Sequence, residues 1–244
     1  MFEKVGSRQL LSLSVQDQIE LAIKERRLPP GEKLPTEMEL CANFGVSRTV
    51  MREALRMISA KGLISIEKGR GMFVKEISAD SVTDPMHMYL TVNYSQNYAL
   101  DVVHARQAIE PSIAAMAATM RTDEVLHRLN QNLQKVKDLK EDFTKLASLD
   151  SEFHLLVAEA SGNPIMPLVL EPIHKLMPHI KLAVYDVVEN AKESAIEYHG
   201  KIIEGIARKS EQDARHWMLE HLKQAEAHIR RAIAEGKLAS GKRD

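Results

Sequence analysis

Cysteine is nearly absent from this chain of 244 residues, and long apolar runs are missing altogether. The single cysteine, Cys41, excludes a disulfide framework within the chain and indicates a reducing compartment. No apolar run approaches the ~20 residues of a transmembrane helix, and the first residues lack the apolar segment of a signal peptide. No internal repeat or low-complexity tract occurs. The expectation is a cytoplasmic globular protein with no membrane partner.

Charge is unevenly distributed along the chain, although the formal net charge is only −1. Residues 1–77 contain 13 Lys and Arg against 10 Asp and Glu, a net of +3, and the remainder contains 20 against 24, a net of −4. A basic head on an acidic body is typical of a DNA-reading domain joined to a domain with another task. The length leaves room for two such domains.

Residues 36–60 have the pattern of a helix-turn-helix. Thr36 and Glu39 form an S/T-x-x-E capping box, which satisfies backbone N–H groups at a helix start. Gly45 suits a tight turn, and Ser47 is a favourable N-cap for the second helix. That helix has an arginine face (Arg48, Arg52 and Arg56) and an apolar face (Val50, Ala54, Leu55 and Ile58). Such a helix fits the major groove of DNA, where arginine binds phosphates and guanine edges.

A β-hairpin is predicted directly after the second helix. Residues 63–66 and 72–74 are predicted to be strands, with a Lys-Gly-Arg-Gly turn between them. Lys68 and Arg70 would then lie at the tip of a wing, close to a neighbouring groove. A turn of this composition is by itself an ordinary solvated hairpin, but its position after an arginine-lined helix favours a winged helix-turn-helix.

The body is predicted to be an all-α bundle of six or seven helices, with no strand after Val74. We assign residues 1–76 to the winged domain, 77–97 to a linker and first body segment, and 98–244 to the helical domain. Within the second of these, the polar stretch 77–85 is the predicted linker. Kinks or breaks are predicted at three prolines: Pro111, Pro172 and Pro178. The fold class is therefore mainly α, with one small β-hairpin.

Four polar residues on three predicted body helices are candidate metal ligands. Asp150 and His154 are four residues apart and share one helix face, while His199 and His221 lie in the middle of the last two helices. Imidazoles and carboxylates that face a bundle core must be neutralised, hydrogen-bonded or bound to metal. Three histidines and an aspartate suit a divalent transition metal. A purely structural role stays open, because D-x-x-x-H is common on helices.

The chain resembles the GntR family of transcription regulators from about residue 10 to 235. The DNA-binding domain of that family is similar to residues 35–74, PTEMELCANFGVSRTVMREALRMISAKGLISIEKGRGMFV. The body resembles the all-helical FCD domain of the FadR-like branch. Four landmarks occur in the same order: ARQAIEP (105–111), DSEFHLLVAEASGN (150–163), YHGKIIEGI (198–206) and MLEHL (218–222).

The resemblance implies a divalent metal in the body, with zinc expected and nickel or manganese as alternatives. The family's ligands correspond to Asp150, His154, His199 and His221. A small carboxylate effector, or water, would take the remaining coordination positions. Arg106 is the expected second anchor of the effector, because guanidinium binds carboxylate bidentately, and an intrahelical pair with Glu110 is the alternative. Asn163 is a further candidate effector contact, although its position favours a helix-boundary role.

The resemblance also implies which residues contact DNA. They are Arg48, Thr49, Val50, Arg52 and Gly69, and the hairpin tip adds Lys68 and Arg70. Met38 stands where the family often has Arg, and Val50 where it often has Thr or Pro. One phosphate or base contact is therefore expected to be absent, and the operator preference is expected to differ from the family's commonest one.

The function implied is a homodimeric transcriptional regulator, a repressor, that binds an inverted-repeat operator in double-stranded DNA. A small organic acid would control it from the body. Three other interpretations stay open: a direct metal sensor, a site that only stabilises the bundle, and a metal-dependent enzyme with a DNA-binding head. The enzyme is disfavoured because the sequence shows no nucleophile motif and no general base beside the metal landmarks.

Overall fold

The computed structural model describes residues 7–76, 80–93, 98–140 and 142–239. The chain forms two compact units, Met1–Ser81 and Val82–Asp244. Within the described ranges, no helix combines the length and the apolar character needed to cross a membrane.

The first unit has the element order of a winged helix-turn-helix, as predicted. Its elements are α1 (Ser7–Lys24), α2 (Glu37–Phe44), α3 (Arg48–Ala60), β1 (Ile64–Glu67) and β2 (Gly71–Val74). The capping box is present, because Thr36 Oγ1 accepts from the Glu39 N–H and the Glu39 carboxylate accepts from the Thr36 N–H. Gly45 ends α2 in the left-handed conformation with φ 64°, and Ser47 Oγ then caps α3 by accepting from the Val50 N–H.

The hairpin is antiparallel and packs on the second helix of the motif. Ile64 pairs with Val74 at its base, and Gly69 stands at its tip with φ 78°. Ile64 and Val74 are buried in the same apolar cluster as Met51 and Ile58 of α3. The wing is therefore held against the helix that carries the arginines.

The second unit is all helical over its described residues, with eight helices where six or seven were predicted. They are α4 (Asp80–Asn93), α5 (Ala99–Met120), α6 (Asp123–Asp138), α7 (Phe143–Ala160), α8 (Ile165–His174), α9 (Met177–Tyr185), α10 (Ala191–Ala207) and α11 (Glu211–Ala234). The additional helix, α4, begins inside the predicted linker 77–85, of which residues 77–79 lie outside the described residues. Lys175, distant in sequence, donates to Thr83 and Asp84 of α4. A contact between residues so distant in sequence cannot be predicted from the local pattern of a polar stretch, so the helix α4 was not predicted.

The three prolines have different effects on the helices. A kink or a break was predicted at Pro111, and the break is wrong, because α5 runs uninterrupted through it. Pro111 is buried, and α5 packs along α7 and α11, so tertiary contacts outweigh the missing N–H. Pro172 lies inside α8, and Pro178 lies in the first turn of α9, where a missing N–H costs little. The apolar stretch 164–189 is thus two helices.

The core of the second unit consists of two apolar clusters that meet along α7. Leu149 belongs to one cluster and Phe153 to the other. Asp150 and His154 follow them directly in sequence and are themselves buried. The bundle therefore surrounds a polar site with apolar packing on both sides.

Two glycines of α10 provide a matched test of how closely α10 and α11 pack. A Cβ at Gly205 would lie 2.8 Å from the backbone nitrogen of Ala214, whereas at Gly200 the nearest atom is Leu133 Cδ2 at 3.9 Å. Gly205→Ala is expected to destabilise the protein by about 1–3 kcal/mol through overpacking. Gly200→Ala is expected to stabilise it by about 0.5–1 kcal/mol, since alanine favours a helix. Urea unfolding measures both, and equal effects would contradict the close approach.

Candidate DNA interface and metal centre

The two faces of α3 are separated as the sequence predicts. The arginine face, Arg48, Arg52 and Arg56, is exposed, and the apolar face, Val50, Ala54, Leu55 and Ile58, is buried. Thr49 at the start of the helix is exposed as well. A helix that is packed on one side and cationic on the other presents donors to phosphates and base edges.

Arg52 is the most strongly oriented arginine of this face. Its Nε lies 2.9 Å from both carboxylate oxygens of Glu37 at the start of α2. The Arg52 side chain is nevertheless 62% exposed, so it stays accessible while Glu37 limits its conformations. Glu37 thus positions an arginine of the second helix from the first.

The wing tip is exposed and basic. Lys68, Gly69 and Arg70 are all exposed. Arg70 contacts Glu67 at 2.5 Å, and its guanidinium lies 5.8 Å from the centre of the Phe73 ring. These contacts orient Arg70. Lys68 is the more mobile of the two cations, because an ammonium on a flexible stem is not preorganised.

Val50 and Met38 are the two positions of this unit that depart from the family pattern. Val50 is only 3% exposed, so its side chain packs in the apolar core, and its predicted DNA contact stays a prediction. The apolar face of α3 needs Val50 for packing, and its backbone N–H is already bound by Ser47. Met38 is 65% exposed, so the position that often carries Arg in the family presents an apolar thioether here.

The four candidate metal ligands come together in the second unit. Asp150 and His154 lie on α7, His199 on α10 and His221 on α11, and all four are buried. One donor atom from each lies within 4.8 Å of the donors of the other three. The bundle therefore brings distant histidines to one point, which spacing alone left open.

The inner atoms of the cluster are short of hydrogen-bond partners. His221 Nε2 lies 3.3 Å from His154 Nε2, and His199 Nε2 lies 3.8 Å from Asp150 Oδ1, beyond hydrogen-bond distance. Within the described part of the chain, neither ring nitrogen of His199 has a partner, nor does Asp150 Oδ2. The His199 ring stacks on Phe153 with centroids 3.7 Å apart, which fixes its plane. Buried polar atoms left unsatisfied in this way need an explanation such as an ion.

Glu110 supports the cluster from α5. Its Oε2 lies 2.5 Å from His154 Nδ1, and its Oε1 lies 3.0 Å from His174 Nε2. The contact with His154 is imperfectly aligned, yet it favours the proton on Nδ1 and puts the lone pair on Nε2, the atom that faces His221. Arg106 Nε in turn binds Glu110 Oε1 at 2.6 Å. Carboxylates that hold the second nitrogen of a ligand histidine are the usual outer partners of metal sites.

Lys181 of α9 is the immediate partner of the aspartate. Its Nζ donates to Asp150 Oδ1 at 2.8 Å, and the residue is only 7% exposed. Burial by itself would raise the pKa of Asp150. The charge of Lys181 is the main opposing cause, and it holds that pKa well below its usual range. The carboxylate is therefore ionised and available as a ligand.

The histidines are neutral at neutral pH. Burial is the main cause that lowers the pKa of His154, His199 and His221 below its ordinary range. Neutral imidazole is the form that coordinates a metal. The site therefore fits a divalent transition metal, because it offers three neutral imidazoles and one carboxylate, and some of their atoms lack hydrogen-bond partners among the described residues. These four residues by themselves define no catalytic step.

A cavity adjoins the cluster on the side of His221. Lys181 and Tyr185 of α9 line it, together with Gln224 and His228 of α11. The Tyr185 hydroxyl is buried, and it has no hydrogen-bond partner among the residues that the structure describes. The cavity thus has one cation and several neutral polar groups beside the candidate ligands.

Comparison with known proteins divides the chain in the same way. The family model for bacterial regulatory proteins of the gntR family matches residues 11–74, and the FCD domain model matches residues 101–224. The HTH-type transcriptional repressor NanR of Cronobacter sakazakii is 31% identical over 221 residues, which cover 88% of this chain and 84% of NanR.

This chain is a GntR-family transcription regulator. The regulator LutR of Bacillus subtilis is 27% identical over 84% of this chain and 94% of LutR. The solved structure of a Streptococcus agalactiae GntR protein is 28% identical, with a TM-score of 0.71, and the match covers 88% of this chain and 99% of that one. The family and these relatives are transcription regulators, so the enzyme interpretation is excluded.

The two predicted effector contacts of this GntR-family regulator have different positions. Arg106 forms the intrahelical pair with Glu110 that was the alternative interpretation, yet its Nη2 has no partner within the described residues. Asn163 lies between α7 and α8, where its Oδ1 accepts from the Ile165 N–H at 3.0 Å. This is a boundary role, and Asn163 does not line the cavity beside the cluster.

Four residues at the site were not predicted from the sequence to lie there. Lys181, Tyr185 and His174 lie in the apolar stretch 164–189, where prolines obscure the helical phase. Glu110 was considered only as a partner for Arg106. Its contacts with His154 and His174 depend on how α5 packs on α7 and α8, for which the sequence carries no signal.

Stability of the metal-free regulator is expected to fall in mild acid. Burial, followed by the charge of Arg106, lowers the pKa of His174 from 6.5 to about 4. Between these values the unfolded chain binds a proton that the folded chain does not, so the unfolding free energy decreases as pH falls. His174 alone should contribute roughly 2 kcal/mol of loss between pH 7.5 and pH 5.

Urea unfolding of chelator-treated protein at the two pH values measures this loss. The buried histidines of the cluster shift in the same direction and add to it. His174→Gln should reduce the pH dependence, because glutamine does not titrate. Equal unfolding free energies at both pH values would contradict the neutral, buried histidines.

Proposed function

We propose that this regulator is a metal-dependent repressor whose operator affinity is controlled by a small carboxylate effector. Residues 1–76 would bind DNA, and residues 98–244 would bind the metal and the effector. The observation that supports this most is the convergence of four buried donors from three helices within 4.8 Å. Zinc suits three imidazoles and one carboxylate, with nickel or manganese as alternatives.

On a metal that accepts six ligands, four protein ligands would leave two positions for an effector carboxylate. Arg106 would supply a second contact, because its Nη2 is buried and without a partner among the described residues. Guanidinium binds carboxylates through well-aligned N–H groups. Burial excludes water and strengthens these contacts.

In the proposed DNA complex, two copies of the chain would read an inverted repeat, because a two-fold dimer matches a palindrome. The contacting residues would be Arg48, Thr49, Arg52, Lys68, Gly69 and Arg70, all of which are exposed. The effector would act by binding the DNA-competent and incompetent states with different affinities. A DNA target would place the regulator in the cytoplasm.

A thermal-shift screen of small carboxylic acids tests the proposal on metal-loaded and chelator-treated protein. A ligand at a hundredfold excess over its Kd stabilises the native state by about 2.7 kcal/mol. A stabilising acid whose effect disappears on chelation, and which changes operator affinity, is expected. If metal alone controls operator binding and no acid has an effect, the protein is a direct metal sensor. If metal changes only stability, the site is structural.

A further inference from the structure

Buried charges around the metal cluster balance each other without a metal. Asp150 is paired with Lys181 (Oδ1–Nζ 2.8 Å), and Glu110 is paired with Arg106 (Oε1–Nε 2.6 Å). All four side chains are at most 9% exposed. Two buried carboxylates thus face two buried cations, each pair within hydrogen-bond distance.

A divalent cation at this site would therefore add two uncompensated positive charges. Among the described residues of the cluster, both carboxylates already have a cationic partner. Uncompensated charge inside a protein is strongly unfavourable, and partners of opposite sign remove the cost. A monocarboxylate supplies one negative charge, whereas a dicarboxylate supplies both.

We propose that the effector of this regulator is a small dicarboxylate, with one carboxylate at the metal and the second on Lys181. This inference rests on the proposed function and narrows its ligand class. Lys181 shares Asp150 with the metal in the loaded site, so metal and ammonium repel each other. The second carboxylate relieves that repulsion, which couples metal binding to effector binding.

The cavity beside the cluster has the right chemistry for a second carboxylate. Lys181 lines it, and Tyr185 follows four residues later on the same face of α9. The Tyr185 hydroxyl is buried and, over the described ranges, lacks a hydrogen-bond partner. From α11, the amide of Gln224 lines the cavity and contacts His228 at 2.9 Å. Ammonium, hydroxyl and amide all donate, and an ionised carboxylate only accepts.

Isothermal titration of zinc-loaded full-length protein with matched acids tests the inference. Malate is compared with 2-hydroxybutyrate, and 2-hydroxyglutarate with 2-hydroxyvalerate, so that only the second carboxylate differs within a pair. Wild-type protein is expected to bind the better dicarboxylate at least about tenfold more tightly than its partner, the size of a charge-assisted hydrogen bond.

Lys181→Met keeps the length of the side chain and removes its charge. It is expected to abolish the preference for the dicarboxylate and to tighten zinc binding, which a competing chromophoric chelator measures. Lys181→Met removes the cation that pairs with Asp150. The variant protein is therefore prepared with zinc, whose positive charge replaces that of Lys181. Tyr185→Phe is the second variant, since it removes only the hydroxyl; it should weaken dicarboxylates more than monocarboxylates.

The outcomes separate this inference from the proposed function. Equal binding within each pair would overturn the dicarboxylate assignment and leave the carboxylate-controlled repressor intact. A preference that survives in both Lys181→Met and Tyr185→Phe would overturn the assignment of the second carboxylate to this cavity. If no acid of these pairs or of the carboxylic-acid screen bound zinc-loaded protein, the proposed function itself would be rejected.

Discussion

Replacing Arg52 by alanine is expected to reduce specific operator affinity by about 1–3 kcal/mol, roughly 5- to 150-fold, the size of a bidentate contact to a base. Arg52 is exposed on α3, and Glu37 holds its guanidinium from α2. The side chain is therefore oriented before DNA arrives, and little conformational entropy is lost on binding. A phosphate contact alone would weaken all DNA sequences alike.

Fluorescence anisotropy at one fixed salt concentration distinguishes these two roles. Wild-type protein first selects its operator from a random DNA library, and each variant is then titrated with the selected and an unrelated duplex. Arg230→Ala is the matched control, because Arg230 also forms an exposed pair with a glutamate but lies on α11. An Arg52→Ala variant with unchanged discrimination between the two duplexes would show that Arg52 does not read a base.

His199→Ala is expected to lower metal affinity strongly, because His199 would bind the metal directly. The loss should exceed the roughly 10- to 100-fold that is typical of a residue hydrogen-bonded to a metal ligand. The variant is informative because neither ring nitrogen of His199 has a hydrogen-bond partner among the described residues. The substitution therefore removes a metal ligand, and no other group of the described residues loses a hydrogen-bond partner. Its cost to the metal-free fold is mainly lost packing against Phe153.

Competition with a chromophoric chelator measures the affinity, and circular dichroism checks the fold. Glu110→Gln should give an intermediate loss, because Glu110 acts through His154 and His174. His127→Ala, at an exposed position of α6, is the control and should bind metal like the wild type. If His199→Ala bound metal with wild-type affinity, the four-ligand site would be disproved. If it unfolded even when loaded with metal, a structural role would be favoured.

Local rules explain why the winged unit was predictable. The capping box of Thr36 and Glu39, the left-handed Gly45 and the cap at Ser47 each involve residues within a few positions of one another. Such contacts are encoded in short segments, so the sequence alone is sufficient. The helical period likewise predicted that Val50 lies on the buried face of α3.

Long-range packing determined the features that the sequence did not reveal. The residue types of the site, Asp150, His154, His199 and His221, and the order of the two domains could be read from the sequence. The continuation of α5 through Pro111, the contact of Glu110 with His154 and the pair of Lys181 with Asp150 became known from the packing. Local propensities act over a few residues, whereas burial and charge pairing depend on which helices pack together.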